Sequence, residues 1–494
     1  MSGARQISFE DAPFSAIHKK ITAGTFMGQI SDGYTLGIVG ISLNYAMEPL
    51  GLTSFWMGLI GAGSMFGIFF GSLLAGITAD KIGRRPLYAS LMLLTAIVSV
   101  LQFFLSDPLL IAIVRFVLGM LIGADYTVGI PLLSEWAPAK KRAGILGWLL
   151  VFWTIGFFMD GFVAAFGNDG WRLVLCTSVV PSLIALVIRF GTPESPLWHI
   201  AKGRPQEALA NIHAYLGNQY GLPDRGEEKP ASTSWFALFA PEQWRNTVVS
   251  GVFFFAQVLP FFAISIFLPL VLTKMNIQNP NASGVLYNVF TLIGVLVGLW
   301  IYGIATRRAY LLWTFYVSAA ILTVMILWTS MSPLVALIMI TAFALVLAAS
   351  IVPEFSYPAE LFPTELRGSG VGLTIAISRF GAGGGTFLLP IVSEQFGIHM
   401  ALWCCVITLL FGGIILDKMG VRFTGVMACG LMVGGALLKA YAVSPLFPPL
   451  RIAHFIKNAP LNVAFSFIQA TDERLRRDRQ TGGSDEEPPV SFIL

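Results

Sequence analysis

The stretch "GITADKIGRRPL" (residues 76–87) joins two apolar runs, and it decides the fold. Residues 54–79 on one side and 86–106 on the other are each long enough to cross a bilayer as a helix. Within the stretch, Gly76 lets two helices approach closely and Gly83 permits a tight turn. The pattern therefore predicts two membrane helices joined by a short charged loop.

The charges of this loop predict a function for it. Asp80 is placed to meet the N-terminus of a neighbouring helix, and Arg84 and Arg85 are placed to hold carboxylates of an adjacent loop. We interpret the loop as a latch that holds one conformation closed. A basic loop that only sets the orientation of the chain is the alternative.

Composition extends this interpretation to most of the chain. Of 494 residues, 55% are hydrophobic and 12% are charged, whereas soluble proteins carry about 25% charged residues. In lipid the backbone must satisfy its own hydrogen bonds, so such runs are helices. We predict twelve spans, near 22–46, 54–79, 86–106, 108–133, 143–166, 171–190, 247–272, 284–305, 310–330, 333–355, 368–392 and 399–416.

A long polar stretch divides these spans six and six. We predict an all-α polytopic membrane protein with a six-helix bundle at 1–190, a cytoplasmic loop at 191–245 and a second six-helix bundle at 246–418. Residues 419–494 form an atypical extension, which contains one further apolar run and a polar tail. A thirteenth span, an interfacial segment and a join with a second protein of the same kind remain open for this extension.

An internal repeat indicates that the two bundles arose by duplication. After the fourth and the tenth span, the chain places a glutamate, a proline three residues later and an arginine seven residues later. The two copies lie 225 residues apart and predict a pseudo-symmetric pair of bundles, with chance similarity as the alternative. They are Glu135, Pro138 and Arg142 in the first half, and Glu360, Pro363 and Arg367 in the second.

Basic residues predict the orientation of the chain. They concentrate in loops that lie on the same side as the N-terminus, whereas the opposite loops hold mainly acids. We expect a multi-pass protein of the plasma or inner membrane with a cytoplasmic N-terminus. The basic loop residues are Lys19, Lys20, Lys81, Arg84, Arg85, Lys140, Lys141, Arg142, Lys202, Arg204, Arg307 and Arg308.

Several motifs resemble the major facilitator superfamily across residues 15–418. The stretch "GSLLAGITADKIGRRPL" (71–87) resembles the signature loop of that superfamily, and "TPESPLWHIAKGR" (192–204) resembles a sugar porter motif that includes Glu194. The segment "GADYT" (123–127) is similar to phosphate:proton symporters, and "SRFGAGGG" (378–385) is similar to aromatic acid:proton symporters. The resemblance implies a carrier in which two bundles alternate a central site between the membrane faces. It adds Glu194 to the predicted cytoplasmic gating residues: Gly76, Asp80, Gly83, Arg84, Arg85, Glu135, Arg142, Glu360 and Arg367.

Ionisable residues inside the spans are candidates for proton coupling. A charged carboxylate in the bilayer is costly, so one that is present usually has a function. Asp32 lies near the middle of the first span, where related symporters bind the coupling proton. Arg115 matches a fourth-helix arginine that pairs with such an acid, and Asp125 is a second proton-site candidate. A static buried ion pair is the alternative.

Other polar residues within the spans are candidates for substrate binding. Arg379 is a cation that can bind a carboxylate or phosphate through two hydrogen bonds. Gln257 is the uncharged repeat partner of Asp32, and Glu354 lies at the cytoplasmic end of span ten, where water can reach it. We predict a substrate site formed by Asp160, Gln257, Tyr287, Asn288 and Arg379.

These features predict a secondary active transporter that moves a small organic anion, a carboxylate metabolite, together with protons. Sugar or polyol transport and phosphate transport are alternatives, and a membrane sensor that binds a ligand without moving it is an alternative of another class. We expect no enzyme activity, no cofactor, no metal and no nucleic-acid partner. The expected partners are the substrate, protons and the lipid bilayer, and we expect a monomer.

Overall fold

The computed structural model describes residues 7–159, 170–222, 235–275, 277, 280–328, 330–354, 357, 361–362 and 366–418. The predicted extension at 419–494 lies outside these residues, and so do Asp160 and Glu360. Within the described residues, every predicted span is helical.

Among the described residues, the first half and the segment that follows it contain nine helices. The predicted sixth span is divided in two at Thr177–Ser178, because Pro181 has no N–H to bond to the carbonyl group of Thr177. The helices are α1 (Ala16–Leu50), α2 (Ser54–Ile82), α3 (Arg85–Leu101), α4 (Pro108–Trp136), α5 (Ala139–Phe158), α6 (Trp171–Cys176), α7 (Val179–Arg189), α8 (Pro196–Ala201) and α9 (Pro205–Leu216).

The second half continues with seven helices among the described residues. A short 3₁₀ turn, Val352–Glu354, follows the helix of the tenth predicted span. The helices are α10 (Trp244–Ile266), α11 (Leu268–Lys274), α12 (Pro280–Ile304), α13 (Arg307–Leu327), α14 (Pro333–Ala349), α15 (Arg367–Phe396) and α16 (Ile398–Lys418).

Eleven helical segments of the described residues are long and apolar enough to cross a membrane. The first predicted span is not among them, although α1 has 35 residues. Gln29, Asp32 and several glycines lower its mean hydropathy. The chain is thus a multi-pass membrane protein whose described residues are mainly helical, and α1 is the span whose polar residues need a functional explanation.

Glycines allow the helices that surround the centre to pack backbone to backbone. A Cβ atom at Gly119 of α4 would overlap with the backbone carbonyl of Ser64 in α2, and one at Gly156 of α5 would overlap with that of Ile30 in α1. The same occurs between the two halves, where a Cβ atom at Gly58 of α2 would overlap with the carbonyl of Phe387 in α15. In lipid the hydrophobic effect does not drive helices together, so close packing at small residues takes over this role.

The N-terminal segment is tied to the end of the first half that carries the 76–87 loop. Strand β1 (Ile7–Ser8) pairs in parallel with strand β2 (Tyr220–Gly221), which follows α9. Phe9 is fully buried and packs edge-on against the indole of Trp136, and Glu10 accepts a hydrogen bond from Arg142 at 3.1 Å. The chain before α1 therefore covers the junction between α4 and α5.

Candidate functional site

A buried ion pair lies between α4 and α7. The guanidinium of Arg189 donates through Nη1 and Nη2 to the two carboxylate oxygens of Asp125, with 2.9 Å between Nη2 and Oδ2. Neither side chain is exposed. Arg189 also donates to the carbonyl oxygens of Gly24 at 2.9 Å and Tyr88 at 3.0 Å. One arginine thus joins four helices, α1, α3, α4 and α7, and holds the second predicted proton site in a charged, fully satisfied pair.

Asp32 lies beside this pair without a partner of its own. Both carboxylate oxygens are buried and accept no hydrogen bond from any residue that the structure describes. Asp32 is one helical turn after Gly28, whose Cβ position would be 3.1 Å from Oδ2 of Asp125, and the two carboxyl groups interact electrostatically. The structure therefore brings the two predicted proton sites together.

The expected pairing of Asp32 with Arg115 is wrong. Arg115 donates through Nη2 to the backbone carbonyl of Thr35 at 2.8 Å, and its Nε and Nη1 are buried without a hydrogen-bond partner in the described residues. Arg115 precedes Asp125 by ten residues, about 15 Å along the helix. Asp32 lies at the depth of Asp125, so Arg115 reaches α1 further along, at Thr35.

A central cavity of about 40 Å³ lies between the two halves. Its wall combines aromatic rings with one cation, one acid and one amide. The rings pack on one another, with the Trp153 and Phe261 centroids 6.5 Å apart. The lining residues are Gln29, Tyr126, Leu150, Trp153, Val258, Phe261, Phe262, Ile351, Glu354 and Arg379.

Arg379 is the cation of this cavity. Its side chain is only 7% exposed, and it donates no hydrogen bond to any residue that the structure describes. Tyr126, whose hydroxyl accepts a hydrogen bond from the Trp153 indole at 2.7 Å, interacts electrostatically with both Arg379 and Asp32. A buried guanidinium with unused donors is suited to bind a planar anion through two hydrogen bonds.

The other predicted substrate residues are distributed more widely. Gln257 is fully buried, and neither end of its amide has a hydrogen-bond partner in the described part of the chain. It lies one helical turn before Phe261, so both residues are on the same side of α10. Tyr287 shares a hydrogen bond of 3.1 Å with Ser265, Asn288 is buried, and neither Tyr287 nor Asn288 is a lining residue of the cavity. Asp160 lies outside the described residues.

The predicted latch contains a polar cluster at the 76–87 loop. Arg84 forms an ion pair with Glu135 at the end of α4, and the hydroxyl of Ser195 donates to the same carboxylate. Both charged side chains are mostly buried, with 16% and 18% exposed. Arg84 and Glu135 therefore fasten the α2–α3 loop to α4.

Glu194 holds the same loop through its backbone. Its Oε2 accepts the backbone N–H of Arg85 at 2.9 Å, whereas the Arg85 side chain points to the surface. Gly83 has a φ of 98°, and a Cβ atom there would overlap with the Glu194 carboxylate. The expectation that both arginine side chains hold carboxylates is thus wrong for Arg85, because the glycine turn presents its N–H group instead.

The remaining gating residues are placed as follows. Gly76 faces Thr127 of α4, with 3.6 Å from its Cβ position to the threonine methyl. Asp80 lies in the last turn of α2, and Arg367 begins α15. Arg142 donates to Glu10 and to the carbonyl of Ala137. Glu360 lies outside the described residues, so the second copy of the repeat stays a prediction.

Sequence reasoning missed Arg189, Tyr126 and Trp153. Arg189 is at the end of a span, where an arginine is expected from orientation alone. The residues next to Arg189 in the sequence do not indicate that its side chain points into the protein. Tyr126 and Trp153 are aromatic residues in apolar runs, where packing in the core is the ordinary expectation.

Known proteins are similar to this chain over most of its length. The model of the sugar (and other) transporter family matches residues 13–419. The inner membrane metabolite transport protein YgcS of Escherichia coli K12 is 34% identical over 415 residues, which cover 83% of this chain and 92% of that protein. The putative metabolite transport protein YaaU of the same organism is 30% identical, covering 79% and 89%.

A solved structure has a similar fold. The partially occluded, inward-open xylose transporter XylE of E. coli superimposes with a TM-score of 0.67 at 16% identity. The match covers 82% of this chain and 100% of the XylE chain. At this identity, the likeness concerns the arrangement of the helices and not the substrate.

Proposed function

The chain belongs to the sugar (and other) transporter family of the major facilitator superfamily, and we propose that it moves a small organic anion together with protons. It is a membrane transporter and not an enzyme. The proposal concerns what the transporter binds and what drives it. We further propose that it acts as a monomer in the inner membrane, with the 76–87 loop facing the cytoplasm.

The observation that carries the proposal is the state of Arg379. Arg379 is 7% exposed, lines the central cavity and donates no hydrogen bond to a described residue, so its guanidinium has donors that a ligand can use. A carboxylate is the ligand that matches its geometry. The aromatic wall would cover the apolar part of such a substrate.

Asp32 supplies the proposed proton site. A charged carboxylate without a partner is costly inside a bilayer, and the neighbouring carboxylate of Asp125 adds repulsion, so both effects favour the neutral acid in this conformation. Asp125 is already neutralised by Arg189. When the bundles move and water reaches Asp32, the proton can leave. Asp32 would therefore load and unload a proton as the site changes sides.

Transport in proteoliposomes tests the proposal. A panel of labelled small carboxylates, identified first by thermal shift, should accumulate in response to an inward proton gradient. Asp32→Asn should abolish accumulation and leave exchange of substrate for substrate intact, because exchange requires no net proton movement. Glu48→Gln is the matched control, since Glu48 is an exposed acid on the same helix.

Three results would contradict the proposal. Uptake that is indifferent to the gradient would remove proton coupling. Accumulation of a sugar in place of a carboxylate, with Arg379→Gln unaffected, would remove the anion. Binding without flux would favour the sensor that the sequence left open.

Sugar transport is the second candidate, and Gln257 is the observation that favours it. Its amide is buried with both donor and acceptor unpartnered among the described residues, and such a group can hydrogen-bond to a hydroxyl of a substrate. Xylose, the substrate named for the solved structure with a similar fold, belongs in the panel. Loss of its uptake in Gln257→Leu, with Arg379→Gln still active, would decide for this candidate.

A further inference from the structure

Glu354 lines the same cavity as Arg379. Both residues belong to the second half, whereas the predicted proton-binding acids Asp32 and Asp125 belong to the first. Glu354 ends the 3₁₀ turn Val352–Glu354 that follows α14, and its side chain lines the cavity beside the guanidinium of α15. The two charges interact electrostatically, but no hydrogen bond joins them, because Arg379 donates none to a described residue. An acid of the second half is therefore placed where a substrate anion would bind.

Among the described residues, few other groups that titrate surround Glu354. Tyr126 of α4 lines the same cavity, and it interacts with Asp32. Helix α12 packs on the 3₁₀ turn and brings Tyr287 and Tyr302, but no acid or base occurs in its sequence at 280–304. Arg379 is accordingly the charge that opposes Glu354 at this cavity.

We propose that Glu354 is a second proton-binding residue, and that its protonation decides whether Arg379 can accept an anion. When Glu354 is charged, it neutralises Arg379 and repels an entering carboxylate in a medium of low dielectric constant. When Glu354 is neutral, Arg379 keeps its full positive charge and the acid can donate its O–H to the anion. Proton and anion then favour each other's binding, and the coupling is reciprocal.

This inference deepens the proposed function, since it assumes that the anion binds at Arg379. It differs from the role of Asp32, which belongs to the first half and has no cation of its own. Two acids, one in each half, would then bind protons: Glu354 at the cavity, and Asp32 beside the Arg189–Asp125 pair. The charge of the substrate would be compensated within its own site.

A measurement without substrate tests the titration of Glu354. Infrared difference spectra of the purified protein, recorded between mildly acidic and mildly alkaline pH, should show a protonated-carboxyl band that disappears as pH rises. Asp32 can contribute a band of its own, so the component due to Glu354 is the one that is missing in Glu354→Gln and retained in Asp32→Asn. It should also be present in Glu394→Gln, a matched control because Glu394 is an exposed acid on the same helix as Arg379. A spectrum of Glu354→Gln identical to that of the wild type would overturn the proposal.

A second measurement tests the link to anion binding, with benzoate as the probe. Over the same pH range, the affinity of the wild type should fall on the order of tenfold as pH rises, a typical size for coupled sites. Glu354→Gln should bind tightly throughout and lose this dependence. A pH dependence retained in Glu354→Gln would contradict the inference. Absence of benzoate binding in the wild type would contradict the proposed binding of a carboxylate at Arg379 instead, and the infrared result would still decide the titration of Glu354.

Discussion

Arg189 holds Asp125 through two parallel hydrogen bonds, and neither side chain reaches the surface of the protein. Asp32 lies one turn of α1 away from this contact, equally buried and without a hydrogen-bond partner in the described residues. Two aspartates of one cluster thus differ in a single respect, which is whether a cation compensates them. Their substitution should reveal that difference.

Asp125→Asn should destabilise the protein far more than Asp32→Asn. Removing one partner of a buried ion pair leaves the other uncompensated and costs about 3–5 kcal/mol, whereas Asp32→Asn breaks no pair and should cost less than about 1 kcal/mol. Unfolding of the detergent-solubilised protein measures both values. Equal losses for the two variants would show that Asp32 is structural. The double substitution of Asp125 and Arg189 by apolar residues should recover much of the loss.

Gly28→Ala should displace the ion pair, and Gly129→Ala should not. A Cβ atom at Gly28 would overlap with Nη2 of Arg189, whereas one at Gly129 would be 3.5 Å from Tyr88 and 3.7 Å from Asp125, which are ordinary contacts. We expect Gly28→Ala to lower the free energy of unfolding by about 1–3 kcal/mol. Gly129→Ala should leave it unchanged or raise it by about 0.5 kcal/mol through helix propensity. The unfolding assay described for the aspartates distinguishes these outcomes.

Arg84→Ala should open the end of the molecule that carries the 76–87 loop, and Arg85→Ala should have little effect. The Arg84 side chain is bonded to Glu135, but Arg85 contributes only its backbone N–H, which alanine retains. Loss of a partly buried ion pair of about 1 kcal/mol shifts a two-state equilibrium roughly fivefold. Labelling of a cysteine introduced on the cavity side of this end would report the shift. Faster labelling in Arg85→Ala than in Arg84→Ala would contradict the assignment.

Acid should loosen the N-terminal segment through His18. This residue lies in the first turn of α1, before the predicted span, and its Nδ1 accepts the backbone N–H of Ser15 at 3.0 Å. Burial lowers the pKa of His18 below its ordinary value of 6.5. The unfolded segment therefore binds more protons than the folded one, so the stabilisation is present above pH 6.5 and is lost as pH falls below it.

Hydrogen exchange of residues 7–18 measures this effect. Protection should decrease below pH 6.5 in the wild type. In His18→Gln, which cannot titrate, protection should not change with pH beyond the intrinsic exchange rates. The same decrease in both proteins would assign the pH dependence to another group.

The sequence predicts the helices well because each span carries its own signal. Long apolar runs, short loops and the glycine turn at Gly83 depend on local chemistry, and the structure has helices at all twelve predicted positions over the described residues. The loop contact of Arg84 could also be anticipated, since its partner Glu135 belongs to a motif at the end of α4. Local patterns thus predict elements and the contacts at their ends.

The interior of the site could not be predicted in the same way. Spacing along one helix gives the depth of Arg115 and Asp125 relative to each other, but it does not give their height relative to Asp32 on another helix. Only the packing shows that Arg115 meets Thr35, and that Arg189 reaches Asp125 from the end of α7. Glu354 was expected to meet water at a helix end, and the turn Val352–Glu354 directs it to the cavity instead.

The parallel pairing of β1 with β2 has a consequence for how the chain matures. Residues 7–8 are synthesised first, but their partners at 220–221 emerge only after all six spans of the first half. Strand β1 therefore cannot pair with β2 until that half has been synthesised. The Phe9–Trp136 contact needs only α4, so pairing of β1 with β2 is the contact of this segment that depends on synthesis of the whole first half.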